Sequence, residues 1–227
     1  IKGFTEITDR LEPEVLSTLL NSYLNEMSKI ALKYGGTIDK FVGDAILIFF
    51  GDPETKGDKE DAYSCVLMAL EMQERMHHLK NLWEDQGITN PLEIRIGINT
   101  GYCNVGNFGS ENRLDYTIIG GEVNLASRLE SNAMTGQILI SQETYALIKK
   151  HIVCEKKDEI KVKGIAHKIQ TYQVVGLYKN IAQKRKILNE EFDGFNLNID
   201  LNISKKNKVI TSLENTLKQL KKDEKSN

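Results

Sequence analysis

The sequence predicts an α+β domain, an antiparallel or mixed sheet with helices packed on it, and two patterns carry that prediction. Long stretches with apolar residues at helical spacing are interleaved with pairs of short β-rich runs. Each pair of runs is joined around glycine, the punctuation of a hairpin.

Pro13 suits the first turn of a helix, where its missing N–H costs nothing. From there Val15, Leu16, Leu19, Leu20, Tyr23, Leu24, Met27, Ile30, Ala31 and Tyr34 recur at helical spacing, and Gly35-Gly36 ends the run. Thr37 to Phe41 and Ala45 to Phe50 read as two strands around Gly43-Asp44, a hairpin with an acidic tip. A second long helix is predicted from Asp58 to about Asp85, with Cys65, Ala69, Met72, Met76 and Leu79 along one stripe. Leu92 to Asn99 and Tyr102 to Phe108 read as a further strand pair around Thr100-Gly101. Thr117 falls in a β-rich run that Gly120-Gly121 separates from another helix. A short strand follows at Gln137 to Ile140, and Ser141 can cap a helix reaching about Lys150. Ile152 to Glu155, Glu159 to Val162 and Gln170 to Val175 are expected as closing strands. The main domain is therefore placed at residues 1–178. Residues 179–227 are rich in Lys and Asn, yet Phe195, Leu197, Ile199, Leu201 and Ile203 alternate with polar residues as in a half-buried strand. Val209, Ile210, Leu213, Leu217 and Leu220 then keep helical spacing, so a strand–helix appendage is expected, frayed from Lys221 onward.

Composition bounds the function. At 227 residues the chain has room for one sizeable domain with an appendage. A net charge of -2 gives no general attraction for nucleic acid. Cys65, Cys103 and Cys154 lie far apart and in no CxxC spacing, which argues against a disulfide framework or zinc site and fits reduced residues of a cytoplasmic domain. The longest apolar run, Ala45 to Phe50, is far short of the roughly 20 residues that cross a bilayer. His77, His78, His151 and His167 have no metal spacing, and Trp83 with Met68, Met72 and Met76 reads as core or interface.

The chemistry concentrates in the run from Asp115 to Glu130, Asp-Tyr-Thr-Ile-Ile-Gly-Gly-Glu-Val-Asn-Leu-Ala-Ser-Arg-Leu-Glu. Asn124 and Arg128 are four apart, so on a helix they stack on one face and can reach one ligand. Read with Gly43-Asp44, this stretch resembles the class III nucleotide cyclases, which turn ATP or GTP into a 3′,5′-cyclic nucleotide, over Ile1 to about Tyr178.

The resemblance implies roles. Asp44, by itself a turn aspartate, matches the family's second metal aspartate, and Ile1 matches the position whose backbone carbonyl binds metal. Two Mg2+ or Mn2+ ions per site are implied. The first metal aspartate would directly precede Ile1, so the sequence as given is expected to be a trimmed and impaired piece of an active protein with an upstream sensor or regulatory domain. The amides of Gly3, Phe4 and Thr5 would cradle phosphate. Asn124 would orient the ribose and Arg128 meet the negative charge of the transition state, while Arg95 and Lys163 match the triphosphate-binding cations. Lys40 and Thr117 match the purine-reading pair. An ammonium only donates, which suits adenine N1; guanine N1 carries a hydrogen and needs an acceptor. The implied activity is adenylate cyclase acting on ATP at the interface of a head-to-tail homodimer. Guanylate cyclase and a silent nucleotide-binding regulatory domain stand as the alternatives.

Overall fold

Pro13 opens the helix that the apolar spacing predicts, and the chain leaves it at Lys33. In the computed structural model, the structure describes residues 1–88, 91–161, 168–178, 187–192, 195–200 and 206–223. The chain divides into two compact units, Ile1–Val175 and Gly176–Asn227.

In the first unit a short helix α1 (Phe4–Thr8) precedes α2 (Pro13–Lys33). The hairpin of β1 (Thr37–Val42) and β2 (Ala45–Phe49) follows, then α3 (Asp58–Asp85). Next come β3 (Ile96–Ile98), β4 (Asn104–Ser110), β5 (Arg113–Ile119) and α4 (Gly121–Asn132). The remainder is β6 (Ile138–Ser141), α5 (Gln142–Ile148), β7 (Ile152–Lys156) and β8 (Thr171–Leu177). The Ser141 side chain accepts from Thr144 N, the cap its position predicts.

β3, β6, β8 and β7 form a four-stranded sheet in that order, with β3 parallel to β6 and β6 antiparallel to β8. All four residues of β6 are buried, as a strand covered on both faces requires. The β1–β2 and β4–β5 hairpins are separate antiparallel pairs.

The α+β expectation holds, with one correction. Residues 92–99 and 102–108 do not pair with each other. Only Ile96–Ile98 is strand, and it pairs with β6 across about forty residues, while β4 pairs with β5. Leu92 and Ile94 sit in the core instead of a ladder. Alternation marks a strand face but carries no information about the partner. Glu159 to Val162 also shrinks, to a single bridge between Ile160 and Ile169, with Val162 outside the described residues.

The main core lies between α2 and α3. Leu19, Tyr23, Met27, Ile30 and Ala31 meet Met68, Met72, Met76, Leu79 and Trp83, with Leu92 and Ile94 closing one end. Each leucine, isoleucine or methionine among them contributes about 1.5–3 kcal/mol on burial. A second cluster, Leu125, Leu129, Ala133, Leu139 and Ile169, seats α4 on the sheet.

In the second unit β9 (Ile187–Phe192) pairs antiparallel with β10 (Phe195–Asp200), and α6 spans Lys206–Asp223. The alternation of Phe195, Leu197 and Ile199 is thus one half of a hairpin whose other strand the sequence reading missed; Leu201 and Ile203 lie outside the described residues. Helix α6 carries on past Lys221 to Asp223. Among the described residues no helix is long and apolar enough to cross a membrane.

Candidate active site

Helix α4 takes its place because Gly97 on β3 has no side chain. A Cβ there would lie 2.1 Å from Glu130 N and 2.4 Å from Ala126 O, so only glycine lets the helix backbone come this close. With Leu125 and Leu129 buried against the sheet, Asn124 and Arg128 are left exposed one turn apart. Among the described residues, neither side chain has a hydrogen bond or ion pair; Arg128 takes part through its backbone carbonyl, which accepts from Asn132 Nδ2. An amide and a guanidinium with no side-chain partner among the described residues are available to a ligand.

Asp44 sits in the two-residue loop between Val42 and Ala45, where Gly43 adopts φ 62°. Its Oδ2 lies 2.6 Å from the Ile1 backbone nitrogen. The chain beside Ile1 is fixed by Lys2 N donating to Glu93 O at 2.8 Å. The structure therefore brings the two predicted metal-site positions, the Asp44 carboxylate and the backbone of residue 1, together. That fits magnesium, which favours one or two carboxylates completed by phosphate oxygens. Among the described residues no group of three or more His, Cys, Asp or Glu forms a closed metal cage. Tyr23 beneath it is buried, and burial first, then the charges of Asp44 and Glu130, push its phenol well above the usual range.

Lys40 and Thr117 come from different hairpins and meet at one carboxylate. Asp39 Oδ2 accepts from Thr117 Oγ1 at 2.6 Å and from Ile118 N at 3.2 Å. Its Oδ1 lies 3.4 Å from Lys40 Nζ, an ion pair without hydrogen-bond geometry. Thr117 is buried and Lys40 exposed.

Arg95 is already engaged. Its Nε donates to Glu130 Oε1 at 2.6 Å and its Nη1 to Ser131 O at 3.1 Å, at the C-terminal end of α4. Gly3 precedes α1 at φ 68°, and Phe4 and Thr5 open that helix, whose first N–H groups lack helical partners. Lys163 and His167 lie outside the described residues. His77, His78 and His151 are exposed, and His151 packs its ring against Tyr63.

Residues 1–176 match the family described as "Adenylate and Guanylate cyclase catalytic domain". The chain belongs to that cyclase family.

The crystal structure of the adenylyl cyclase CyaB from P. aeruginosa is similar at 63% identity and a TM-score of 0.75, over 77% of this chain and 89% of that one. The guanylyl cyclase Cya2 is similar at 36% identity and a TM-score of 0.74, over 78% of this chain and 88% of that one. Adenylate cyclase 1 of Rhizobium meliloti is 31% identical over 183 residues, 80% of this chain but 27% of its own length. The cyclase domain thus spans about a quarter of that curated relative. Members of the family take nucleotide substrates and divalent metal ions, and dimers occur among the solved structures.

Asp39, Tyr23 and Gly97 were not singled out from the sequence. Tyr23 reads as one more residue of an apolar stripe, and Gly97 as a strand glycine. Asp39 did leave a trace: a carboxylate directly before Lys40 in a β-rich run is depleted in strands and asks for a partner.

Proposed function

We propose that this domain is an adenylate cyclase, converting ATP to 3′,5′-cyclic AMP and pyrophosphate at a site completed between two head-to-tail copies. The observation that carries the reading is the meeting of Lys40 and Thr117 at Asp39, which groups an ammonium donor with a hydroxyl at one place. Adenine offers an acceptor at N1 and a donor at its amino group, and the pair answers both.

The remaining roles follow from the reaction. The ribose 3′-oxygen attacks the α-phosphorus in line, and pyrophosphate leaves. Asn124 holds the ribose so that this oxygen faces phosphorus, and Arg128 donates to the charge that builds on the phosphoryl oxygens. Asp44, with the Ile1 carbonyl, would hold Mg2+ or Mn2+, two ions per site when the first metal aspartate is present. The bound ions supply Lewis acidity at the 3′-hydroxyl and neutralise the triphosphate. Gly3, Phe4 and Thr5 offer backbone amides to phosphate oxygens, and Lys163 and, on release from Glu130, Arg95 add cations.

A partner copy is supported by where apolar surface is left bare. Phe41 and Val42 on β1, Tyr102 before β4, Phe108 on β4, and Leu114, Tyr116 and Ile119 on β5 are all exposed. Such a concentration on the hairpins that carry the purine-reading residues suits an interface.

The deciding assay follows cyclic AMP and cyclic GMP formed from ATP and GTP with Mg2+ or Mn2+, on this chain and on one with an aspartate added before Ile1. Faster cyclic AMP formation, raised by the added aspartate and abolished by EDTA, is expected. Faster cyclic GMP formation would transfer the assignment to guanylate cyclase. Gel filtration at the concentration of peak activity is expected to give a dimer, and a strict monomer would overturn the shared site.

A further inference from the structure

Asp39 stands where a strand residue should not carry an acid. Its side chain is 1% exposed, and one of its oxygens has no hydrogen-bond partner. The backbone explains how it arrived there. In the β1–β2 ladder Ile38 faces Ile48 and Lys40 faces Leu47, so Asp39 is the extra residue of a bulge. In a regular strand Asp39 and Lys40 would point to opposite faces; a bulge re-aims the side chains locally. Here the carboxylate reaches across to β5 while the Lys40 ammonium stays 3.4 Å from its Oδ1.

We propose that Asp39 is a positioning residue for base selectivity, fixing the Thr117 hydroxyl as an acceptor and thereby making the site read the adenine amino group. The inference rests on the adenine-binding reading above. A hydroxyl has one hydrogen and two lone pairs. The Thr117 hydrogen points at Asp39 Oδ2, 2.6 Å away, and the same oxygen takes the Ile118 N–H at 3.2 Å. Only lone pairs remain for the base. They accept from the amino group at C6 of adenine and oppose the carbonyl oxygen at C6 of guanine. Threonine alone does not choose, because a rotating hydroxyl donates or accepts as the ligand demands. The acid behind it makes the choice. The ion pair with Lys40 adds a second consequence: it keeps the ammonium beside Thr117, so the donor for N1 and the acceptor for the amino group arrive together.

The test compares dissociation constants of non-cyclisable 3′-deoxy-ATP and 3′-deoxy-GTP by calorimetry, so that no turnover is needed. Wild type is expected to prefer the adenine nucleotide. Asp39→Leu is expected to lower that preference about tenfold, and Asp39→Asn, whose amide oxygen still accepts, to keep it within about twofold. In Asp39→Leu/Thr117→Val the ratio should equal that of Thr117→Val alone, since without the hydroxyl the acid has nothing to orient. Because each ratio is taken within one preparation, a partly unfolded variant does not distort it. Where Asp39→Leu fails to fold, a probe lacking the amino group decides on wild type and Thr117→Val. Purine riboside 3′-deoxytriphosphate should bind wild type about tenfold more weakly than 3′-deoxy-ATP, and Thr117→Val equally well. An adenine preference unchanged in Asp39→Leu, or a probe bound by wild type as well as 3′-deoxy-ATP, overturns the role of Asp39 and leaves the adenylate assignment standing. A wild type that prefers the guanine nucleotide overturns both.

Discussion

The exposed face of α4 and the seam between β1 and β5 handle polar side chains in opposite ways. On α4, Asn124 and Arg128 have no side-chain partner among the described residues. In the seam, Thr117, Asp39 and Lys40 are tied to one another before any ligand arrives. The difference matches the roles proposed for each. A group that meets charge developing in a transition state must be uncommitted in the resting protein, whereas groups that tell one base from another must hold donors and acceptors fixed. The two guanidiniums repeat the contrast: Arg95 is held by Glu130 and the Ser131 carbonyl, while the Arg128 guanidinium has no partner among the described residues.

The sharpest way to break this comparison is Arg128→Ala. We expect a loss of roughly 100- to 1,000-fold in kcat for cyclic AMP formation. Stability should change by no more than about 0.5 kcal/mol, because the side chain is exposed and has no partner among the described residues. Thermal melting beside the kinetics reads both, and a large drop in melting temperature would mean Arg128 is structural.

Lys40→Glu probes the seam. An acceptor now faces adenine N1, and a buried mismatch of this kind costs about 1–3 kcal/mol. The ratio of kcat/KM for ATP over GTP should fall roughly 10- to 100-fold. An unchanged ratio would remove Lys40 from base reading.

Arg95→Ala should act on both stability and substrate binding: about 1 kcal/mol of stability is lost, after allowance for the partly exposed Glu130 side of the pair, and kcat/KM for ATP falls because a triphosphate cation is gone. Chemical denaturation beside the kinetics reads both. A stability loss with kcat/KM unchanged would make Arg95 a structural residue that stays on Glu130.

The smallest effect is expected far from the site, at Glu71. Hydrogen bonds from Lys33 and then Tyr34 hold its carboxyl below the usual range. A lowered carboxylate contributes stability above its unfolded pKa and loses it as pH falls through the lowered value. Glu71→Gln should therefore slightly flatten the acid limb of a pH–stability curve. Tyr34 has the opposite sign: burial and then Glu71 push it up to about 12, so its contribution is present below its unfolded pKa, near 10, and is lost as pH rises toward 12. Tyr34→Phe should flatten the alkaline limb.

Much of this was readable in the chain. The α2 and α3 stripes are local periodicities, and both helices occur where the spacing puts them, α3 from Asp58 to Asp85. The i, i+4 relation of Asn124 and Arg128 needs only a helix, and α4 provides it. The β1–β2 pairing was readable across its short loop. The partners of β3 and β4 were not, as residues 92–99 and 102–108 demonstrate, because pairing of β3 with β6 depends on what the intervening chain covers. Nor was the engagement of Arg95 by Glu130, two residues 35 apart in sequence.

The sequence by itself determined the long helices, the acidic hairpin tip, the cyclase family and the residue types that chemistry requires. These depend on the order of neighbours along the chain, where spacing is geometry. Tertiary structure alone decided which polar groups are committed and which are available. Asp39 joins Thr117 across 78 residues through a bulge, and α4 reaches its seat because Gly97 leaves room for it. A hydrogen bond has a direction and one hydrogen, so its assignment exists only once the distant partner has been brought within about 3 Å.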